Sequence, residues 1–310
     1  MMSFTGEVKS EIIGLETMET EKISELSAII HNSSIVDKTI KIHSENNAVI
    51  RHVFSLIKDL YKITPKITVR RGYNYNKNYI YILEFTSKSD DVLNDLGIKE
   101  KNQLLNIPKS YIVDDDSLLR QYLKGVFLVC GSINDPKKSR YHLEFLVSNA
   151  EYGKYLSLLL NKFDLNSKVI KRENKYMIYI KEAEKIGDFL RILGATKSLL
   201  YYEDIRIYRD HKNMTNRLNN CEQANVDRII STALEQVKDI ETIIDAGGLE
   251  LLDAKEQVIA EYRLKYKEAS LLELSEIITI ETGQKLTKSG VNHRMKKIRI
   301  LANRIREKQN

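Results

Sequence analysis

The sequence predicts an α+β domain built as two similar halves about a pseudo-twofold axis, followed by an all-α domain. Three observations predict it. Two long stretches, 25–83 and 122–180, run through the same series of hydrophobic patterns. Beyond residue 217 the apolar residues fall only at helical spacing. The basic excess lies at one end: residues 285–310 hold nine Lys and Arg against one acid, Glu307, a net +8, while the whole chain carries +6. A dense basic block of this kind suggests a polyanion partner.

Each half opens with an apolar helical run, ELSAIIHNSS from Glu25 and YLKGVFLVCGS from Tyr122. Each then passes a turn that carries an acid, Asp37 and Asp135. An alternating strand follows (IKIHS; YHLEFLVS), then a helix of 3.6-residue period (VIRHVFSLIKDLY; YGKYLSLLLNKF), then two more strands (KITVRR and YIYIL; KVIKR and YMIYI). EAEKIGDFLRILG adds a closing helix to the second half. The halves span about 22–85 and 118–195, inside a domain of 1–217. In such a duplication the two opening helices pack on each other across the axis, and close approach asks for small residues at the seam. Gly125 and Gly131 supply them in the second half; Ser27, Ala28, Ser33 and Ser34 supply them in the first. A glycine inside a helix costs about 1 kcal/mol relative to alanine, which the packing must offset.

The C-terminal domain, 218–310, reads as helices over 225–244 and 252–268, broken by DAGG at 245–248. SLLELSEIITI forms a third, with Ser270 as N-cap. After the turn ETGQKL, a final helix starts from Thr287 or Ser289. Val291, Met295, Ile298, Ala302 and Ile305 share its apolar face. Opposite them lie Ser289, His293 and Lys296, flanked by Asn292 and Lys297. With ETGQKL a longer turn than the tightest such motif allows, the pair is expected to form a helix-turn-helix over about 270–303, whose second helix would enter the DNA major groove. Asn292 suits adenine, Lys296 guanine and Ser289 either. Lys288, Arg294, Lys297 and Arg299 point sideways and suit phosphates. His293 meets a base, a phosphate or only water.

Composition narrows the class. A chain of 310 residues, 42% hydrophobic and with a mean hydropathy of -0.36, suggests about two soluble domains. No apolar run approaches the roughly 18 residues of a membrane span. The start, MMSFTGEVKSEI, has no hydrophobic targeting stretch. Cys130 and Cys221 make neither a disulfide framework nor a zinc site, so a cytosolic protein is expected. GxxxxGK[ST], GxGxxG, HExxH and GxSxG are all missing, and the six histidines show no ligand spacing. No cofactor or metal is expected, and His31 reads as a seam residue rather than a ligand. In the first domain Lys66, Arg70, Arg71 and Lys77 of one half match Lys137, Lys138, Arg140, Lys168, Lys171, Arg172 and Lys175 of the other. Tyrosines interleave with the first set at GYNYNKNYIY. This is either an auxiliary DNA surface or an ordinary charged sheet exterior; a surface for protein partners fits as well.

LKGVFLVCG resembles a degenerate LAGLIDADG motif, the helix signature of homing endonucleases, and LSAIIHNSS is a weaker copy. In that family the acid near the end of the motif binds a divalent metal. Its positions here hold Cys130 and Ser33, poor ligands for a hard cation. The resemblance therefore implies a nuclease scaffold without its metal site. Asp37 and Asp135, a few residues beyond, are either turn and capping acids or the ligands of a shifted metal in a divergent DNA endonuclease or nickase. The whole chain resembles the WhiA family of bacterial DNA-binding regulators through MSFTGEVKSEI, LLRQYLKGVFLVCGSINDP, NRLNNCEQAN and SLLELSEI with TKSGVNHRMKKI. That resemblance implies a pseudo-twofold LAGLIDADG-like domain followed by a helix-turn-helix domain. It also implies a non-enzymatic, sequence-specific binder of double-stranded DNA, a transcriptional regulator involved in sporulation, cell division and chromosome segregation. Such a protein works in the cytoplasm at the nucleoid, with other transcription or cell-division proteins as further partners and no membrane.

Overall fold

Two four-stranded antiparallel sheets with the same strand order organise the first 209 residues. A computed structural model describes residues 3–71, 79–138 and 140–309. The chain divides into two compact units, Met1–Arg209 and Asp210–Asn310, and the expected boundary at 217/218 lies inside a helix.

In the first unit, α1 (Phe4–Ile13) is capped by Ser3, whose hydroxyl accepts the Gly6 N–H at 3.2 Å. Phe4, Val8 and Ile12, four residues apart, are its buried stripe. The first half then runs α2 (Glu19–His31), β1 (Ser34–Val36), β2 (Thr39–Ser44), α3 (Asn47–Tyr61), β3 (Lys66–Arg71) and β4 (Tyr79–Phe85). A connection of α4 (Ser89–Asp95) and the short pair β5 (Lys99–Glu100) and β6 (Gln103–Leu104) leads to the second half. That half runs α5 (Asp116–Cys130), β7 (Gly131–Ile133), β8 (Leu143–Val147), α6 (Ala150–Asn161), β9 (Lys168–Arg172), β10 (Lys175–Ile180) and α7 (Ala183–Ile192). The sheets are ordered β1-β2-β4-β3 and β7-β8-β10-β9, so the duplication read from pattern is a duplication of topology. Alternation sets the inward faces: Leu143, Phe145 and Val147 of β8 are buried while Glu144 and Leu146 between them are not. Asp37 and Lys38 turn β1 into β2 with positive φ at both (47° and 65°), the geometry of a tight two-residue hairpin. Asp135 accepts the Lys137 N–H at 2.9 Å within its own turn. Both acids thus do what turn acids do.

The seam is formed by α2 and α5. A Cβ on Gly125 would stand 2.3 Å from the Glu25 carbonyl oxygen and 2.8 Å from the Ala28 Cβ, so glycine is what lets the helix axes approach. The other small residues expected at the seam serve elsewhere. Gly131 caps α5 and opens β7, and its Cβ would strike the chain's own Phe127 ring at 2.2 Å. Ser27 donates to the Leu96 carbonyl at 2.7 Å, Ser33 to the Ile30 carbonyl at 2.7 Å, and Ser34 pairs with Lys41 in the sheet. Of the small residues expected at the seam in the first half, Ala28 is the one set against Gly125. Beside this contact the seam holds a buried charge pair that the sequence pattern concealed. Lys124, 2% exposed, donates to Glu25, fully buried, at 3.0 Å, and His52 Nε2 of α3 lies 2.7 Å from the second Glu25 oxygen. Burial alone would raise the Glu25 carboxyl. The His52 hydrogen bond and the Lys124 ammonium outweigh it and hold the group below the ordinary carboxylate range.

The second unit contains most of α8 (Thr196–Gly247), then α9 (Ala254–Lys265), α10 (Leu271–Thr282) and α11 (Lys288–Gln309). Ile240, Ile243, Ile259, Leu274, Ile278, Val291, Met295, Ile298 and Ala302 form its core. Asp253 with Glu256, and Ser270 with Glu273, make capping boxes at the starts of α9 and α10. Arg263, 1% exposed, ties the turn between them by donating to the carbonyls of Tyr266 (3.2 Å) and Ala269 (2.6 Å). α8 departs from the expected start at 225. No Pro lies in it and its only glycine is the last residue, so nothing breaks it, and NRLNNCEQAN is continuous helix with residues 210–229 all exposed. Among the described residues no helix is long and apolar enough to cross a membrane.

Candidate nucleic-acid interface

Position within α11 decides what each of its side chains can reach. Thr287, rather than Ser289, caps the helix: its hydroxyl accepts the Gly290 N–H at 3.2 Å and its carbonyl the Val291 N–H at 3.0 Å. Thr279 Oγ1 accepts the Leu286 N–H at 3.1 Å and so ties the preceding turn to α10. Val291, Met295, Ile298 and Ala302 are buried against α9 and α10, with Ile305 packed beside them, as the spacing predicts. Lys288, Ser289, Asn292, His293 and Lys296 are exposed, and Arg294 is half-buried. A row of one hydroxyl, one carboxamide, one imidazole and an ammonium therefore faces outward from the first turns of a helix whose other side is anchored in a core.

Lys297 and Arg299, expected to face phosphates, are exposed and also have acidic neighbours. Lys297 lies 3.3 Å from Glu256 and 3.9 Å from Asp253 on the α9 side. Arg299 lies 2.8 Å from Glu235 and 3.9 Å from Asp239 on α8. Arg306 joins Asp239 at 2.8 Å. These cations fasten α11 to its neighbours, and carboxylates already offset much of their charge. Lys288 and Lys296 have no ion-pair partner among the described residues. The sequence reading passed over Lys285, exposed in the turn before α11, and Arg304, exposed on the same side as His293. The 100° projection reaches Arg304; Lys285, in the turn, lies outside it.

In the first unit β3 and β9 are the corresponding edge strands. Arg70 and Arg71 end one, Lys171 and Arg172 the other, all exposed. Arg71 lies over the Tyr79 ring at 5.9 Å, and Arg172 reaches the Met177 sulfur at 4.0 Å. Lys66 is drawn to Glu84 at 3.7 Å, and the Lys137 ammonium lies 5.4 Å from the Tyr201 ring centre. Lys138, Arg140, Lys168 and Lys175 are exposed. Lys77 and most of GYNYNKNYIY lie outside the described residues.

At the ends of the motif helices no carboxylate takes the acid's place. The Cys130 thiol is half-buried, and burial pushes it up to about 12. Among the described residues no three His, Cys, Asp or Glu side chains gather to hold a metal. The cleft at this end of α5 takes in Asp135 but not Asp37. His31 lies 3.0 Å from the Asn106 carbonyl through Nε2 and stacks on Tyr152 at 4.5 Å, and burial pushes it down to about 4. Its Nδ1 is buried without a hydrogen-bond partner, so the satisfied core or seam residue expected from the sequence is satisfied on one ring nitrogen only.

A duplicated LAGLIDADG-like unit joined to a helix-turn-helix unit defines the class of this protein. Family models agree: the WhiA N-terminal LAGLIDADG-like domain matches residues 19–99, the WhiA LAGLIDADG-like domain 119–212 and the WhiA C-terminal HTH domain 215–302. The probable cell division protein WhiA of Lactiplantibacillus plantarum is 38% identical over 311 residues, covering 99% of each chain. That of Enterococcus faecalis is 39% identical over 312 residues, again covering 99% of each. Full-length DUF199/WhiA from Thermatoga maritima superposes with a TM-score of 0.55 at 27% identity, covering 97% of this chain and 98% of that one. The chain belongs to the WhiA family. Its relatives are named as cell division proteins and not as enzymes.

Proposed function

We propose that this protein is a non-enzymatic, sequence-specific DNA-binding protein that regulates transcription at the nucleoid. The exposed row Ser289, Asn292, His293 and Lys296 on α11 carries the reading. Its donors and acceptors sit on the first turns of the second helix of a helix-turn-helix, where side chains reach major-groove base edges. The HTH match and the names of the relatives support it, and those names extend it to cell division; sporulation and chromosome segregation are the further processes we assign. Lys288 and Lys285 serve as phosphate contacts, and Arg70, Arg71, Lys171 and Arg172 on the paired sheet edges extend the contact. Lys138 and Arg140, exposed near the second sheet, and Lys137 add to that auxiliary surface.

The test is binding of the full chain to an operator found by genome-wide mapping of bound DNA. Lys296→Ala should lower operator affinity by about 1–3 kcal/mol and relax the preference at one base position. Lys288→Ala should weaken all duplexes about equally and flatten the salt dependence by about one phosphate. Unchanged operator affinity in both variants contradicts the assignment. Point substitutions are required because α11 supplies core residues to its unit, and removing it would unfold what it is meant to probe.

A further inference from the structure

The open end of the α2–α5 seam holds a cleft of about 1080 Å³. Lys9 of α1 lines it, with Tyr79 and Tyr81 of β4, Asn46, Asn134 and Lys138. Among the described lysines of this unit, Lys9 is the one whose ammonium burial pushes down. Its ammonium lies 5.4 Å from the Phe127 ring centre, and no carboxylate stands within ion-pairing distance among the described residues. Burial pushes it down to about 8. A buried charge is ordinarily paired, and Lys124, buried in the same unit, has Glu25 at 3.0 Å. Glu45 on the same cleft acts on Lys9 from beyond ion-pairing distance, and a closer counter-charge can enter through the cleft. Tyr79 and Tyr81, two residues apart on one strand, face the same side of the sheet and bring two rings to the same space.

We propose that this cleft binds a nucleoside phosphate, with the phosphoryl group on Lys9 and the base against Tyr79 and Tyr81. The site asks for both an anion and a flat ring, and flat rings stack on tyrosine faces. The first turn of α1, where Thr5 and Gly6 also line the cleft, adds the positive end of a helix to the phosphoryl position. A passing DNA strand suits the space less well. Glu45 and Asp135 line the same cleft and repel a polyanion, whereas a single nucleotide sets only one phosphoryl group beside Lys9. This site uses none of the α11 residues and does not rest on their binding DNA.

The experiment is calorimetric titration of the full chain with AMP, GMP, adenosine and inorganic phosphate, and in parallel with a duplex of random sequence. At least one monophosphate should bind, and more tightly than its nucleoside. Lys9→Met should weaken it about tenfold or more, the loss expected for a charge-assisted hydrogen bond, and Lys9→Arg should restore it. Tyr81→Ala should weaken the nucleotide while sparing inorganic phosphate; should Lys9→Met not fold, this selective loss decides. The proposal falls if neither monophosphate binds at millimolar concentration, or if Lys9→Met binds them as the unmodified chain does. It falls equally if Lys9→Met weakens only the duplex, which would make the cleft a contact for the DNA backbone.

Discussion

The two halves of the first unit share a strand order yet differ at the seam between them. In the first half the motif positions read Leu26, Ser27, Ala28; in the second, Leu123, Lys124, Gly125. Close approach therefore needs a missing side chain on one helix only, since Gly125 lies against Ala28 and the Glu25 carbonyl. The charge pair is asymmetric too. Lys124 stands where the first half has Ser27, and Glu25 stands where the second has Tyr122. Two identical helices would place like beside like across the axis. A duplicated chain can place an acid on one helix and a base on the other, and so specify a single register of one half on the other. The outer edges, β3 and β9, keep their basic ends in both halves, where the described contacts of Arg71 and Arg172 are with the uncharged Tyr79 and Met177.

The comparison is broken most severely at Lys124. Lys124→Met leaves the Glu25 carboxylate buried with only His52 beside it and should destabilise the first unit by about 3–5 kcal/mol. Adding Glu25→Leu should return most of that loss in urea unfolding. If the single variant is as stable as the parent, the pair does not set the seam. The two sides of the close contact should respond unequally. Gly125→Ala should destabilise by roughly 1–3 kcal/mol through overpacking, against about 1 kcal/mol for Ala28→Gly, the helix-propensity difference. Equal losses would mean the axes can separate freely.

Smaller effects follow from titration and exposure. His31 is held at about 4 against an ordinary 6.5, so the unfolded chain binds its proton first. The stability this provides is full above about pH 6.5 and is lost as pH falls toward 4, on the order of 3 kcal/mol. His31→Gln should flatten that slope in acid unfolding curves. Least affected is the exposed middle of α8: Cys221→Ser should change stability by less than about 0.5 kcal/mol. Cys221 should also take up a thiol reagent well before Cys130, whose thiol burial keeps protonated.

How legible each region was depended on how local its determinants are. Period-two alternation in IKIHS and YHLEFLVS, and 3.6 spacing in VIRHVFSLIKDLY, place the two sheets and their helices, because neighbours in sequence decide which face is apolar. The same holds for Ser270 and Glu273 at the start of α10, and for the buried and exposed sides of α11. α1 was legible by the same rule, through Ser3 before Phe4, Val8 and Ile12, and was passed over.

Other features depend on pairs far apart in the chain. Nothing in the run YLKGVFLVCGS shows that Lys124 is buried; only the packing of α2 sets Glu25 against it. Gly131 looked like a seam glycine and proved to be a cap for its own helix. The carboxylates beside Lys297 and Arg299 come from α9 and α8 and could not be read from α11 alone. The sequence alone determined the elements, their order, the duplication and which side of the last helix is polar. The partners of its charged groups were settled only by tertiary packing, since a charge is read by what lies within a few ångströms of it, and here those groups come from other helices.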